Sequence, residues 1–156
     1  MVESVSTEVK LIIFELKGKE YAIPVNDVRS IEKIMHITRI PNIAPFVKGV
    51  INLRGVVTPI IDLRRRFDLE EIEHTDQTRI IIIAIEDMEV GLIVDAANDV
   101  VDVNSDDYEP APEVVGGKEV DYISGVVKVD KRLLILVNLE RVFDREELKK
   151  YARSEV

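Results

Sequence analysis

The chain of 156 residues contains no cysteine and no tryptophan. Disulfides, thiol nucleophiles and thiolate metal sites are therefore excluded. It has only two histidines, His36 and His74, which excludes a histidine-rich metal centre. Aromatics are scarce, four Phe and four Tyr, so a core must be built from branched aliphatic side chains. Basic residues are outnumbered, 21 against 30 acids, for a net charge of −9. A phosphate backbone is bound by releasing counterions to basic surface, so this balance argues against nucleic acid. No apolar run reaches the roughly 18 residues of a membrane span. Met1 to Glu8 is polar and lacks the apolar stretch of a secretory signal. A soluble, cytoplasmic chain without membrane insertion is the expectation.

What is present is β-branched. Val and Ile together number 43, against 11 Leu, within a globular hydrophobic fraction of 46%. Such side chains fit a pleated surface and lose χ1 freedom in a helix. Hairpin patterns follow. Lys10–Leu16 and Glu20–Val25 flank Lys17-Gly18-Lys19, and Val47–Leu53 and Val56–Leu63 flank Arg54-Gly55. Arg79–Ile85 and Val90–Val94 flank an acidic turn, Glu86 to Glu89. Val126–Val129 and Leu133–Val137 flank Asp130-Lys131-Arg132. Asn26 and Asp95 read as helix or turn starters just after strands. Asp62 to Phe67 predicts one or two helical turns, and Asn138 to about Arg153 a C-terminal helix.

An internal repeat is legible without any alignment. A shift of 69 residues lays Lys10-Leu11-Ile12-Ile13-Phe14 on Arg79-Ile80-Ile81-Ile82-Ile83 and Glu20-Tyr21-Ala22-Ile23 on Glu89-Val90-Gly91-Leu92. A shift of 76 lays Gly49-Val50-Ile51 on Gly125-Val126-Val127, Ile60-Ile61-Asp62-Leu63 on Leu136-Val137-Asn138-Leu139, and Phe67 on Phe143. The extra seven residues fall between Val103 and Tyr122, a loop-like segment holding Pro110, Pro112, Gly116 and Gly117. The expectation is an all-β chain: one domain of two similar five-stranded subdomains, about 9–75 and 76–145, with residues 146–156 a helix end or tail. Units of about 70 residues bury too little surface alone, so they should share an interface. Closed barrels remove strand edges, so two small barrels packed side by side are expected, with a binding groove between them.

The search for chemistry finds little. Neither histidine lies in a nucleophile motif, and solvated side chains are the better reading. Phosphate-binding glycine loops and spaced calcium-loop acids are missing. Neither cofactor nor metal is expected. Arg64-Arg65-Arg66 is the one basic run. It reads as a solvated helical turn flanked by Asp62, Asp68, Glu70 and Glu71, with docking of an acidic partner or a phosphate as the alternative.

The run from Phe46 to Leu63, FVKGVINLRGVVTPIIDL, closely resembles the signature stretch of the CheW family of bacterial chemotaxis coupling proteins. Residues 20–31, 90–101 and 124–139 sit in the order and spacing that family shows, so the resemblance covers about residues 8 to 148. The length resembles a stand-alone member. The resemblance implies two five-stranded SH3-like barrels and a non-enzymatic adaptor. Its implied partners are the regulatory domain of the histidine kinase CheA and the cytoplasmic tip of methyl-accepting chemoreceptors, at receptor arrays on the inner face of the membrane. Arg54 matches a family arginine whose change impairs receptor coupling, on an otherwise ordinary turn. Gly49 and Gly55 match turn or close-approach glycines. Val28, Ile31 and Val100 match groove-lining positions, with ordinary core as the competing reading. Arg39 matches a basic position, whereas Ser30 departs from the acid expected there. A small nucleic-acid-binding barrel is the alternative. It needs a basic strip with exposed aromatics, which the chain does not offer. An enzyme with an unfamiliar site is the weakest reading.

The net charge is uneven. Residues 1–75 carry 11 basic and 11 acidic side chains, and residues 76–156 carry 10 and 19. Two similar barrels with such different surfaces are expected to face different partners.

Overall fold

The computed structural model describes residues 8–41, 46–110 and 122–142. Strand β1 (Glu8–Leu16) turns through Lys17-Gly18 into β2 (Lys19–Pro24), and a 3-10 turn, Val25–Asp27, leads to β3 (Val28–Lys33). Strands β4 (Val47–Leu53) and β5 (Val56–Asp62) form a hairpin, followed by the single helical turn α1 (Leu63–Arg66). The hairpin of β6 (Arg79–Ile85) and β7 (Met88–Val94) runs directly into β8 (Ala96–Asn104). A second 3-10 turn, Ser105–Asp107, leads to the short β9 (Tyr108–Glu109). Strands β10 (Ile123–Val129) and β11 (Arg132–Val137) precede α2 (Leu139–Val142). The four hairpins close through two residues, and the first is left-handed each time: Lys17, Arg54, Glu86 and Asp130, with φ between +52° and +56°. Such turns match the twist of the strands they join.

Four elements differ from the sequence reading. Asp95 starts neither helix nor turn, because β8 begins at the next residue. Five strands per copy are expected but only four are placed by the sequence; β3 and β8 are the fifth strands, and β9 is an addition. Their outward sides carry polar residues among the apolar ones, which masks a continuous run. Of the C-terminal helix, Leu139–Val142 is helical. Its continuation, Phe143, the glycines at 116 and 117 and the tail at 146–156 lie outside the described residues.

The strands form two sheets, ordered β8-β1-β2-β11-β10-β9 and β3-β6-β7-β5-β4. The repeat equates β1, β2, β3, β4 and β5 with β6, β7, β8, β10 and β11. Under it the first five strands of one sheet become the other sheet in the same order. Register agrees in detail. Phe14 pairs with Ala97 and Ile13 with Asp99, as Ile83 pairs with Val28 and Ile82 with Ser30, so Asn98 and Arg29 are equivalent bulges. Lys48 and Ser124 are likewise equivalent bulges in the β4–β5 and β10–β11 pairs. The parallel pairings Ile60 with Gly91 and Leu136 with Ala22 also coincide.

The expected division into 9–75 and 76–145 therefore separates the repeats but not the sheets. Each sheet takes its central hairpin from one half and its flanking strands from the other. The reason is burial. Strand β1 is apolar on both faces from Leu11 to Phe14 and needs neighbours on both sides and a layer above and below. Insertion between β8 and β11 supplies them.

Both sheets curl on themselves. Strands β8 and β9 lie at opposite edges of one sheet yet are only three residues apart, a span that a flat six-stranded sheet could not bridge. In the other sheet, Thr38 beyond β3 exchanges two hydrogen bonds with Val50 of the outer strand β4, at 2.8 and 2.9 Å. Each curled sheet encloses a small apolar cluster. One holds Leu11, Ile13, Ala22, Val127 and Leu136, and the other holds their equivalents Ile80, Ile82, Ile51 and Ile60. Gly91 stands where Ala22 does, and a Cβ there would come within 2.5 Å of Ile60 Cδ1. A third, larger cluster lies between the sheets and joins Ile12, Phe14, Leu16, Tyr21 and Ile23 to Ile61, Ile81, Ile83, Val90 and Leu92. Through it runs an aromatic chain, Phe14–Tyr21–Phe67–Tyr122, with centroids 5.5 to 5.7 Å apart.

Two glycines are fixed by the approach of a second backbone. A Cβ at Gly49 (φ +147°) would overlap the Thr38 carbonyl, and one at Gly125 would sit 2.5 Å from the Glu109 carbonyl oxygen. Gly55 (φ +87°) faces open space. Gly49→Ala is expected to cost about 2–3 kcal/mol, combining backbone strain with the lost Thr38–Val50 pairing, and Gly55→Ala about 1 kcal/mol. Urea denaturation of the two variants checks the order.

Candidate partner-binding surfaces

The chain crosses from one sheet to the other at Asp95. Its carboxylate accepts two bonds from the Arg64 guanidinium, at 2.6 and 2.7 Å, and a third from the Lys17 N–H at 2.9 Å. Its own N–H donates to the Glu15 carbonyl. Arg64 also donates to the Glu70 carbonyl oxygen at 2.9 Å and is buried. Burial pushes the Asp95 carboxyl up, but the bonds from Arg64 and Lys17 outweigh it, and it sits below the usual carboxylate range. Asp62 caps α1 by accepting from the Arg64 N–H at 3.1 Å. Burial, then the charge of Glu71, push its carboxyl up against that bond.

The Arg64–Arg66 run is thus not the solvated face expected of it. Arg64 ties the sheets together. Arg66 donates to the Val142 carbonyl oxygen at 2.7 Å and lies over the rings of Phe46 and Tyr122, 4.2 and 5.0 Å from their centroids. Arg65 is the exposed member, 3.3 Å from Glu71. Spacing alone could not separate the three, because their partners lie 31 and 76 residues away.

The residues expected to line one groove fall in three places. Val28 and Ile31 lie on β3, with Val28 half-buried against the shared core and Ile31 42% exposed. Val100 is the repeat equivalent of Ile31, 54% exposed on β8 of the other sheet. Arg39 is exposed beside Gly49, which is buried and acts through its backbone. Arg54 and Gly55 form the exposed tip of the β4–β5 hairpin, 67% of the Arg54 side chain being open. A 3.3 Å contact from Arg54 to Glu32 carries that tip to the residue after Ile31. Val28, Ile31, Arg54 and Gly55 thus share one sheet.

A second equivalent pair escaped the sequence reading. Val57 on β5 and Leu133 on β11 are 44% and 51% exposed, and Val56 beside Val57 is open too. Both positions lie within runs read only as strands. The signal was available in the repeat, since both copies keep an apolar residue there. The surroundings differ: Arg54 precedes Val56 at one tip, whereas Asp130 holds the equivalent place at the other. Arg132, beside Leu133, binds Glu20 at 2.8 and 3.0 Å and Asp99 at 3.1 Å.

A model of the CheW-like domain matches residues 10–147. The chain belongs to the CheW-like family. It is 52% identical to the chemotaxis protein CheW of Bacillus subtilis over 147 residues, 94% of each chain. It is 36% identical to CheW of Klebsiella aerogenes, covering 89% of this chain and 84% of that one. The crystal structure of the scaffolding protein TtCheW from Thermoanaerobacter tengcongensis superposes with a TM-score of 0.82 at 33% identity, covering 88% and 94%. The family match spans both sheets, the Arg64–Asp95 clamp and both exposed apolar pairs. No helix among the described residues is long and apolar enough to cross a membrane.

The clamp and the cap carry opposite pH dependences. Asp95, lowered in the fold, contributes stability that is present above the ordinary Asp value of about 3.9 and lost as pH falls through its folded value. Asp95→Asn is expected to cost about 2 kcal/mol at pH 7 and progressively less below pH 4. Asp62, raised in the fold, opposes folding once it ionises. Asp62→Asn keeps the cap and is expected to stabilise the protein at pH 7, the gain vanishing below about pH 4. Urea titrations of both variants from pH 3 to 7 measure the two trends.

Proposed function

We propose that the chain is a cytoplasmic, non-enzymatic adaptor that couples transmembrane chemoreceptors to the regulatory domain of the histidine kinase CheA. The carrying observation is a fold with two repeat-equivalent sets of exposed apolar residues on separate sheets, Ile31 and Val57 on one and Val100 and Leu133 on the other, bordered by different charges. Apolar positions at a sheet rim receive a partner by burial, and the flanking charges decide which partner. A bridging protein needs two such faces that are not interchangeable. The family match and the scaffolding relative agree with this reading. The acids along β8, β9 and the turn between them (Asp99, Asp102, Asp106, Asp107 and Glu109) disfavour a phosphate backbone and set aside the nucleic-acid alternative.

Val28, Ile31, Arg39, Arg54 and Gly55, on or beside one sheet, are assigned to the receptor surface, a receptor tip being a helical coiled coil that lays apolar residues onto such a face; Val100, matched to the same groove by the resemblance, lies on the other sheet and is not assigned to that surface. Gly49 supports the receptor surface by holding the Thr38–Val50 approach. Arg54 is the most informative position. It is exposed, its contact with Glu32 is long, and its left-handed backbone suits Asp at least as well as Arg. Arg54→Asp is expected to change stability by no more than about 0.5 kcal/mol. It should weaken capture of a receptor-tip fragment about tenfold while leaving capture of the kinase regulatory domain intact. Equal loss of thermal stability, or unchanged capture of the receptor fragment, contradicts the assignment. Failure of the folded wild-type chain to bind either partner removes the adaptor reading.

A further inference from the structure

Apart from the two-residue β9–β10 pairing, every strand seam outside the hairpins joins one half of the chain to the other. Strands β1 and β8 pair from Glu8–Asn104 to Glu15–Ala96, and β2 runs parallel to β11. Strand β3 pairs with β6 from Val28–Ile83 to Lys33–Arg79, and β5 runs parallel to β7. Within the first half the paired strands are the hairpins β1–β2 and β4–β5. Within the second they are β6–β7 and β10–β11, the latter extended by two residues of β9. Isolated hairpins are marginal in water, so neither half has a sheet able to stand alone. The shared cluster repeats the point, since it is lined from both halves.

The covalent link is slight by comparison. Residues 68 to 77 carry no regular structure and are exposed apart from Leu69. The link's anchoring contacts lie at its ends: Arg64 to the Glu70 carbonyl, Lys48 and Arg65 to Glu71, and the Thr75–Thr78 hydrogen bonds. Glu73 and His74 stand between them.

We infer that the protein is a hairpin-exchanged pair of half-length units in which strand exchange, and not the link at 73–74, holds the halves together. Each half is then the obligate partner of the other, and folding and association of the halves are one event. The repeat supplies the reason. A unit whose central hairpin is buried on both faces finds its flanking strands in a second copy. Fusion of two such units leaves the arrangement in place and makes it independent of concentration.

The test uses the folded full chain with a protease site inserted between Glu73 and His74. After cleavage the two fragments are expected to co-elute at the size of the uncut chain. They should unfold in a single transition whose midpoint falls by several degrees on hundredfold dilution, while that of the uncut chain stays fixed. Separation of the fragments under native conditions, precipitation on cutting, or a transition indifferent to dilution overturns the inference. Cross-linking gives a second readout that does not depend on cleavage being tolerated. The chain has no native cysteine. Lys10 lies opposite Asp102 in the second half, whereas an arrangement with each half forming its own sheet would set Lys10 opposite Lys33. Directly paired strand positions lie within disulfide reach. Oxidised K10C/D102C is expected to lose both free thiols as a monomer, and K10C/K33C to keep them. The reverse result refutes the exchange.

Discussion

Strands β1 and β2 can only be buried between strands that come from the far half of the chain, and the rest of the molecule follows from that. The hairpin brings Leu11 and Ile13 to the inside of one curled sheet and Ile12, Phe14 and Leu16 to the cluster between the sheets. The same holds for β6 with Ile80, Ile82, Ile81 and Ile83. Because each central hairpin serves two cores, opening either sheet exposes the shared one. The two curled sheets are thus coupled through the shared cluster, which suits units of about 70 residues that would each be marginal alone.

The repeat is kept in backbone and broken in charge. Bulges, left-handed turn residues, parallel registers and close-approach glycines recur at equivalent positions. The crossing points do not match. Asp95 and Arg64 clamp the passage from β7 to β8, whereas their equivalents are Asn26 and Glu140. Burial, then the charge of Glu140, push the carboxyl of Asp27 up, so this second crossing holds acids where the first holds an ion pair. Interior packing constrains backbone geometry in both copies alike. Polar groups at the crossings and rims are free to diverge, and there the copies became different.

Much of this was legible in the sequence. The eight hairpin strands, the turn positions, the single helical turn at Asp62–Phe67 and the repeat itself could be read from alternation and turn residues. Those signals are local. Strand exchange could not be read, because a repeat specifies which strands are alike and not which copy they pair with. The same limit explains Arg64 and Arg66. A run of three arginines among acids looks solvated until Asp95 and the Val142 carbonyl arrive from distant parts of the chain. For the site, the strand and turn pattern at Val47–Leu63 puts Gly49, Arg54 and Gly55 on one hairpin, as observed. It could not show that Gly49 is buried while Arg54 projects, nor that Val57 and Leu133 are exposed.

The exchange also changes what the charge asymmetry means. Nine net negative charges lie in the second half of the sequence, and a half-by-half reading would give them to one barrel. Both sheets contain strands of both halves, so the charge is spread along particular rims. It gathers where β8 turns into β9, while Arg29 and Lys33 sit on the equivalent strand β3 of the other sheet. Two rims with the same backbone, exposed apolar residues at equivalent positions and different flanking charge are what an adaptor requires. The common backbone offers each partner the same kind of strand edge, and the charge decides which partner takes which edge.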